Sequence, residues 1–379
     1  MPKIIPIHRS SIAQSAAFLI LFGQAAFAQA PKPPPDVLIL VDGEKLIGHL
    51  ESGDGSSLKF KSDLAGEVTV DWSKVQEIHS PGTFAVLRKG EVLKKHATGA
   101  SVPQGTVAIA SDSKAIEVTP SGAARQSVPV AETGHVVDEA SFHQALENPS
   151  FFHDWTGAIT AGASLVDATQ NSENFTGAIN LVRAIPTVNW LSPINRTIAD
   201  FTASYGEVSQ TGEPTIKTSI YHGDAERDEF FSPRIYGFGE LSYDHNFSQG
   251  LNLQQEYGGG IGLVALKTAK EEMDLKGSVT YIEQSFETGP NQSLIGSIFG
   301  ETYTRKFKRS IVFNQGLTIT PAWNNLNAYS ATGDANLAVP VFKRLNFSIG
   351  LIDNFLNDPP PGFKKNSFQL TTGLTYTLK

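Results

Sequence analysis

The stretch SFQLTTGLTYTLK at residues 367–379 alternates between two kinds of side chain. Its large side chains recur with a period of two and are Phe368, Leu370, Leu374, Tyr376 and Leu378. Because successive side chains of a β-strand point to opposite faces, the stretch predicts a strand with one apolar face and one small, polar face. The apolar face of such a strand contacts either a protein core or lipid.

The same alternation recurs through the second half of the chain. About twelve similar segments are predicted from residue 154 onward by their period of two and by the turn residues between them. Their approximate ranges are 154–166, 175–185, 197–207, 215–223, 234–246, 251–266, 272–285, 295–307, 312–321, 325–339, 345–355 and 367–378. The polar faces hold mainly Thr, Ser, Asn, Gln and Gly, whereas the outer faces of a soluble sandwich carry more charge.

These segments fit a barrel that spans a membrane. A transmembrane strand needs about 9–11 residues, and only a closed barrel leaves no unpaired backbone edge in lipid. The sequence therefore predicts an all-β protein in which residues 154–379 form an outer-membrane antiparallel β-barrel of about twelve strands. Its apolar face is expected to contact outer-membrane lipids.

The first residues predict export from the cytoplasm. Residues 1–28 have the pattern of a secretory signal peptide, because Lys3 and Arg9 precede a short apolar run that ends in AFA. Residues 29–35, QAPKPPP, predict an extended proline-rich linker. The chain has no cysteine, which excludes disulfides and zinc–thiolate sites. Its net charge of −8 gives no indication of nucleic acid binding.

Residues 36–137 predict two tandem small β modules. Short apolar runs are separated by hairpin signals such as DG and SGDG. LILVDGEKLIGHLESG is echoed by FAVLRKGEVLKKHATG, and VTVDWSKVQEIHS is echoed by QSVPVAETGHVVDE, which indicates a repeat of about 45 residues; chance similarity among short strands is the alternative. Residues 138–153 predict a linker with one short helix. We expect the modules to lie in the periplasm, because an even number of strands returns both barrel termini to that side.

Several stretches carry a family resemblance. They include DWTGAITAGASLVDATQNSENFTGAINL, DLKGSVTYIEQSF and the final LIDNFLNDPPPGFKKNSFQLTTGLTYTLK. The chain resembles the bacterial salt-induced outer membrane protein family, a family of unknown function, and DGEKLIGHLESGDG resembles the leader region of its members. The resemblance implies an outer-membrane barrel and no particular activity. Such barrels commonly end in an aromatic residue that the barrel assembly machinery reads; here Leu378 and Lys379 follow Tyr376 and Thr377, so we expect an altered recognition.

Four charged residues are candidates for the lumen. Alternation places Arg234, Glu240, Glu256 and Lys276 on the polar face of their segments. Opposite charges that pair would narrow or plug the lumen, whereas a row of one sign would select ions. The mixed signs favour a plugged or narrow interior.

The sequence carries no recognisable catalytic, cofactor-binding or metal-binding signature. His153, His222 and His245 lie in or beside the predicted barrel, but there is no G-x-S-x-G nucleophile motif. GGGIG at residues 258–262 lacks the spacing of a dinucleotide loop and is more typical of close packing in a barrel wall. We therefore expect no enzyme, no cofactor and no metal.

Three functions remain compatible with these patterns. The first is a barrel with a structural or envelope-stress role, whose periplasmic modules bind another component of the cell envelope. The second is a narrow passive channel for small solutes. The third is a barrel that hydrolyses lipids.

Overall fold

The computed structural model describes residues 34–91, 99, 101–109, 114–147, 150–166, 170–188, 190–210 and 213–378. The predicted signal peptide and most of the proline-rich linker lie outside the described residues. Within the described part, the chain forms a nine-stranded sheet, one short helix and a closed barrel of twelve strands.

The N-terminal sheet has the strand order β4-β3-β2-β1-β5-β6-β7-β8, and β9 pairs with both β2 and β5. Its strands are β1 Asp36–Leu40, β2 Lys45–Asp54, β3 Ser57–Ser62, β4 Gly66–Asp71, β5 Val75–Arg88, β6 Gln104–Ile109, β7 Ala115–Thr119, β8 Gln126–Pro129 and β9 Thr133–Asp138. The short strands form because apolar residues alternate between turn residues, as in β3, where Leu58 and Phe60 are buried and Lys59 is exposed.

The repeat in the sequence is visible in this sheet. A 3-10 turn at Trp72–Lys74 leads into β5, and the corresponding turn at Val130–Glu132 leads into β9. The two predicted modules are joined, however, because β5 is long enough to belong to both and pairs with β1 and β6. Their buried side chains form one core, in which Leu58 and Val118 both take part. The middle of the first echo, residues 92–98, lies outside the described residues.

The helix α1, Glu139–Leu146, follows the sheet directly, within the range in which a short helix is predicted. The Asp138 side chain accepts a hydrogen bond from the backbone N–H of Ser141 at 2.9 Å, which caps the N-terminus of α1. Phe142 of α1 is fully buried against Leu87 and Val137 of the sheet.

The second half of the chain is a closed antiparallel barrel, in which β10 pairs with β21. Its strands are β10 Thr156–Val166, β11 Gln170–Ile185, β12 Asn195–Gln210, β13 Ile216–Phe230, β14 Ile235–Asn246, β15 Leu251–Lys267, β16 Glu271–Phe286, β17 Gln292–Lys306, β18 Val312–Thr320, β19 Ser330–Phe342, β20 Leu345–Leu356 and β21 Asn366–Thr377. The predicted fold class and strand number are therefore confirmed.

Each predicted segment corresponds to one strand, with one large difference in length. β13 continues to Phe230, seven residues beyond the predicted end at residue 223. The part of β13 beyond the predicted end contains Asp224, Glu226 and Asp228, charged residues that look like a turn in the sequence. Their side chains lie on the inner face and are partly exposed or buried. Charge in this strand therefore marks the lumen rather than the end of the strand.

The barrel is apolar outside and polar inside. Large apolar or aromatic side chains lie exposed on the outer faces of the strands, and examples are Ile159, Phe175, Phe201, Tyr221, Leu241, Ile261, Val279, Phe299, Ile319, Phe347 and Leu370. The inner face holds polar residues such as Asn180, Glu240 and Thr375. A closed barrel with this distribution is the architecture of an outer-membrane protein.

We call the end of the barrel where β10 begins the proximal end, and the other end the distal end. The sheet and α1 contact the proximal end through the connection between β11 and β12, in which Trp190 stacks on Phe142 at a centroid distance of 6.2 Å. Arg183 of β11 also donates from Nε to the carbonyl of His153 at 2.9 Å. These contacts place the N-terminal sheet next to one opening of the barrel.

Candidate functional site

The lumen of the barrel carries the largest group of buried charges among the described residues. Most of them point inward from the neighbouring strands β12 to β16, where inward positions have even residue numbers. They lie in layers between the proximal and the distal end.

The first layer lies at the proximal end and is centred on Arg196 of β12. Its Nε donates to Asp228 Oδ2 of β13 at 2.6 Å, and its Nη2 donates to Asp274 Oδ2 of β16 at 2.7 Å. The guanidinium also lies 5.1 Å from the ring centroid of Tyr236, whose hydroxyl donates to Asp274 at 3.3 Å. Because neighbouring strands lie about 4.8 Å apart, β12 and β16 are separated by about 19 Å along the wall. The ion pair to Asp274 therefore crosses the lumen.

The second layer is centred on Lys276 of β16. Its Nζ lies 2.6 Å from Glu226 Oε2 of β13 and 3.2 Å from Glu240 Oε2 of β14. Ser278 donates to the other oxygen of Glu240 at 2.9 Å. The ammonium also lies 5.5 Å from the centroid of the Phe238 ring. In this layer, one cationic side chain therefore pairs with carboxylates from two other strands.

Three of the four predicted lumen residues lie on the inner face of the barrel, and one does not. Glu240 and Lys276 meet in the second layer. Glu256 of β15 is buried on the same inner face. Arg234 lies in the connection between β13 and β14, where it is exposed and outside the strand, so it is not part of these layers. Sequence reasoning missed Arg196, because its partners are far apart in the chain and no local pattern links them.

Two glycines make room for these side chains, Gly262 in the glycine-rich stretch of β15 and Gly300 in β17. A Cβ atom on Gly262 would lie 2.1 Å from Tyr236 Cζ, so the tyrosine ring occupies the space that a side chain would need. A Cβ atom on Gly300 would likewise lie 2.9 Å from Lys276 Cγ. GGGIG is therefore a packing feature of the barrel wall, as its sequence indicates.

A third layer surrounds His222 of β13. Its Nδ1 lies 2.6 Å from Asp244 and its Nε2 lies 3.0 Å from Asp224. Asp200 of the neighbouring strand accepts a hydrogen bond from Asn180 at 2.6 Å. Carboxylates outnumber cationic groups in this layer, unlike in the first two.

The distal end is crossed by the connection between β14 and β15. Gln249 in this connection donates from Nε2 to the carbonyls of Asn354 at 3.0 Å and Lys365 at 2.7 Å, which belong to β20 and to the connection that follows it. β20 is the sixth strand after β14 in this barrel of twelve, so these hydrogen bonds join opposite sides. Asn246 holds the side chain of Gln249 through a hydrogen bond of 2.9 Å.

The wall formed by β20, β21 and β10, opposite the charged strands, carries small hydroxyl side chains instead of charges. Thr375 of β21 contacts Thr160 at 2.7 Å and also hydrogen-bonds with Ser348. Its exposure is 7%, so this part of the inner face is tightly packed. The charged and large side chains that fill the lumen therefore come from strands β12 to β16.

The closing strand has the two faces that its sequence predicts. Phe368, Leu370, Leu374 and Tyr376 lie on the outer face, where between 48% and 65% of each residue is exposed. Leu378 lies one residue beyond β21, is partly buried, and donates its backbone N–H to the carbonyl of Gly157.

The described residues contain neither a cluster of metal ligands nor a membrane-spanning helix. No group of three or more His, Asp or Glu side chains in this part of the chain could hold a metal ion. None of the helices in the same residues is long and apolar enough to cross a membrane.

Comparison with known proteins gives one family and several distant structures. The family described as "Protein of unknown function, DUF481" matches residues 159–378, which is the barrel without the N-terminal sheet. No curated protein matches the chain.

Among solved structures, the chain is similar to an outer membrane channel from Pseudomonas putida F1, with 13% identity, 61% of this chain and 100% of that chain covered, and a TM-score of 0.34. It is also similar to the translocator domain of the autotransporter NalP from Neisseria meningitidis, with 10% identity, 59% and 87% covered, and a TM-score of 0.32. At such low TM-scores, the strand count and closure of the barrel rest on the pairing within this chain.

Proposed function

We propose that this chain, which belongs to the DUF481 family of proteins of unknown function, is a closed outer-membrane barrel with a structural role in the cell envelope. The observation that carries this proposal is the ion pair that crosses the lumen between Arg196 and Asp274, at 2.7 Å. A barrel that conducts solutes needs a continuous wet path, whereas paired charges of opposite sign fill the path.

The other layers support the same function. Lys276 joins Glu226 and Glu240 further along the lumen. Gln249 then joins opposite sides at the distal end. Three obstructions at different depths are more than a selectivity filter requires, because conduction needs binding that is weak enough to release the solute.

In this proposal, the structural role of the barrel is to anchor the N-terminal sheet at the outer membrane. The contact between Trp190 and Phe142 holds the sheet beside the proximal opening. With the proximal end in the periplasm, the barrel would fix the sheet at the inner surface of the outer membrane. There the sheet would bind another component of the envelope, and a role under salt or envelope stress would follow from that link.

Ion conductance in planar lipid bilayers tests the closed lumen. The purified full chain should insert without step conductance above that of the bilayer alone. A variant with Arg196, Tyr236, Gln249, Asp274 and Lys276 changed to alanine should conduct, because it removes the side chains that cross the lumen in these layers and at the distal end. A variant with Glu226, Glu240 and Lys276 changed to glutamine is the matched control, since it removes charge but keeps volume, and it should stay closed.

Steady conductance of the unmodified chain would contradict the proposal and favour the alternative of a narrow passive channel. That alternative draws on the polar inner wall and on the excess of carboxylates around His222. A closed alanine variant that still migrates as a folded barrel on unboiled gels would show that these layers are not the obstruction.

A further inference from the structure

A serine and a histidine meet on the outer face of the barrel, near its distal end. Ser219 Oγ of β13 lies 2.8 Å from His245 Nε2 of β14. His245 Nδ1 lies 2.8 Å from the backbone carbonyl oxygen of Asn252. A carbonyl oxygen can only accept a hydrogen bond, so Nδ1 carries the hydrogen and Nε2 is left to accept the proton of Ser219. A hydroxyl, a base in contact with it and a third group that orients the base are the parts of an activated nucleophile.

A β-bulge provides the third group. The register between β14 and β15 shifts between Asp244 and Asn246, so that Asp244 pairs with Gln254 but Asn246 pairs with Leu251. Asn252 lies inside this irregularity, where its carbonyl can turn towards the imidazole. The ring of His245 is also stacked on Tyr221, at a centroid distance of 5.6 Å and an interplanar angle of 25°. Bulges often re-aim side chains next to active sites.

The pair lies at the depth where lipid esters are found. Tyrosines surround it on the outer face: Tyr205, Tyr221, Tyr243 and Tyr257. Such aromatic girdles of membrane barrels lie at the membrane–water interface. In a glycerophospholipid, the ester groups lie at this boundary, between the acyl chains and the headgroup. Lys217 precedes Ser219 by two residues on the same face, about 7 Å along the strand, and its ammonium pairs with Glu207 at 3.4 Å, so charged groups follow the tyrosines towards the distal end.

A groove beside His245 has the size and character for part of an acyl chain. Its volume is about 410 Å³, and it lies on the outer face between β12 and β15. The small residues Gly223 and Ala225 form its floor, and larger side chains such as Phe201, Leu241 and Leu253 form its sides. Because this face is the lipid-facing side of the barrel, a membrane lipid is the ligand that would reach this groove.

We propose that Ser219 and His245 form an acyl hydrolase site for glycerophospholipids on the outer wall of the barrel. Ser219 Oγ attacks the ester carbonyl carbon while His245 Nε2 takes the hydroxyl proton. The bond from that carbon to the glycerol oxygen then breaks, and the imidazolium returns the proton to the leaving oxygen. Water, deprotonated by the same nitrogen, next attacks the carbonyl carbon of the acyl-serine. The bond from that carbon to Ser219 Oγ breaks, the imidazolium returns its proton to Oγ, and a fatty acid is released.

This activity goes beyond the closed lumen and differs from the expectation, drawn from the sequence, that the protein is not an enzyme. It assigns residues to the lipid-hydrolase alternative. His245 is one of the histidines that the sequence offers as candidates, but its serine lies 26 residues away on another strand and no short motif connects the two.

The test uses the purified full chain in mixed micelles of detergent and phosphatidylethanolamine. A fluorophosphonate probe should label Ser219, located by mass spectrometry, and free fatty acid should accumulate. Ser219→Ala and His245→Gln should each lower fatty acid release by at least about 100-fold, the usual contribution of an acid–base group. Ser209→Ala is the matched control, because Ser209 also lies on the outer face of a neighbouring strand near the distal end, and it should keep full activity.

Folding of each variant is checked by its migration on unboiled gels. A folded, unmodified chain that neither reacts with the probe at Ser219 nor releases more fatty acid than folded Ser219→Ala would overturn the proposal. So would a folded His245→Gln variant that keeps full activity, because the histidine would then not act as the base. Conductance does not enter this result, so the closed lumen and the hydrolase site can fail separately.

Discussion

The N-terminal sheet and the barrel use the same alternating pattern in opposite ways. In β3, Leu58 and Phe60 point into a dry core and are completely buried, while Lys59 and Lys61 beside them face water. In β21, Phe368 and Leu370 face outward and are exposed by 65% and 63%, while the polar Thr375 is buried at the inner wall. A period of two therefore identifies a strand but not its surroundings. The chemistry of the second face decides whether the apolar face contacts a protein core or lipid.

The largest expected change in stability concerns the interior of the barrel. This interior contains ion pairs, whereas the interior of the sheet is apolar. Arg196→Ala should lower the free energy of unfolding by about 3–5 kcal/mol, because it leaves Asp228 and Asp274 buried without their partner. Urea titration in lipid vesicles, read by migration on unboiled gels, measures the change. Arg227→Ala is the control: its exposed guanidinium pairs with Glu229 at 3.1 Å, and such a pair contributes about 0–1 kcal/mol.

Equal effects of the two arginine variants would mean that water reaches Arg196 freely. The interior of the barrel would then be a water-filled channel, and the proposal of a closed lumen would be wrong.

The next largest effect compares leucines in the two environments. Leu58→Ala should destabilise the N-terminal sheet by about 2–5 kcal/mol, because a cavity is left in a packed core. Leu370→Ala should cost about 2 kcal/mol or less, which is the transfer term alone at about 0.8 kcal/mol per CH₂ group, since fluid lipid fills the space. Urea-induced unfolding of each variant, followed by fluorescence for the sheet and by gel migration for the barrel, gives the two values. A larger cost at Leu370 would indicate a packed core on that side of the barrel.

These contrasts also explain how much could be predicted from the sequence. Strands are local, so alternation and turn residues located all twelve barrel strands and the echo in the sheet. The charged end of β13 was missed because Glu226 and Asp228 look like the solvated end of a strand until a lumen is present to receive them. The contact of Arg196 with Asp274 joins positions 78 residues apart, and closure of the barrel alone brings them together. The alignment of Ser219 with His245 depends on a bulge, which leaves no signal in the sequence.

A smaller effect tests the two faces of one strand. Leu370→Arg should destabilise the barrel by about 2–4 kcal/mol if its position lies near the middle of the membrane. Gln369→Arg should cost much less, because Gln369 points to the inner side and is partly exposed there. The same gel assay measures both variants in vesicles. An effect at residue 369 that matches or exceeds the effect at residue 370 would reverse the assignment of lipid and lumen.

The smallest effect is a pH dependence that should appear in the sheet at His135 of β9. Burial lowers the pKa of His135 below its ordinary value of 6.5, and the nearby negative charge of Asp54 offsets this only in part. The unfolded chain then binds the proton more readily than the folded sheet, so the stabilisation is complete above about pH 6.5 and is lost as the pH falls towards the folded pKa. Hydrogen–deuterium exchange should show faster opening of β9 at pH 5.5 than at pH 7.5, after correction for the intrinsic exchange rate. His135→Gln should reduce this difference, with β21 of the barrel as the internal reference. Unchanged protection of β9 across this pH range would mean that His135 is protonated as easily in the folded sheet as in the unfolded chain.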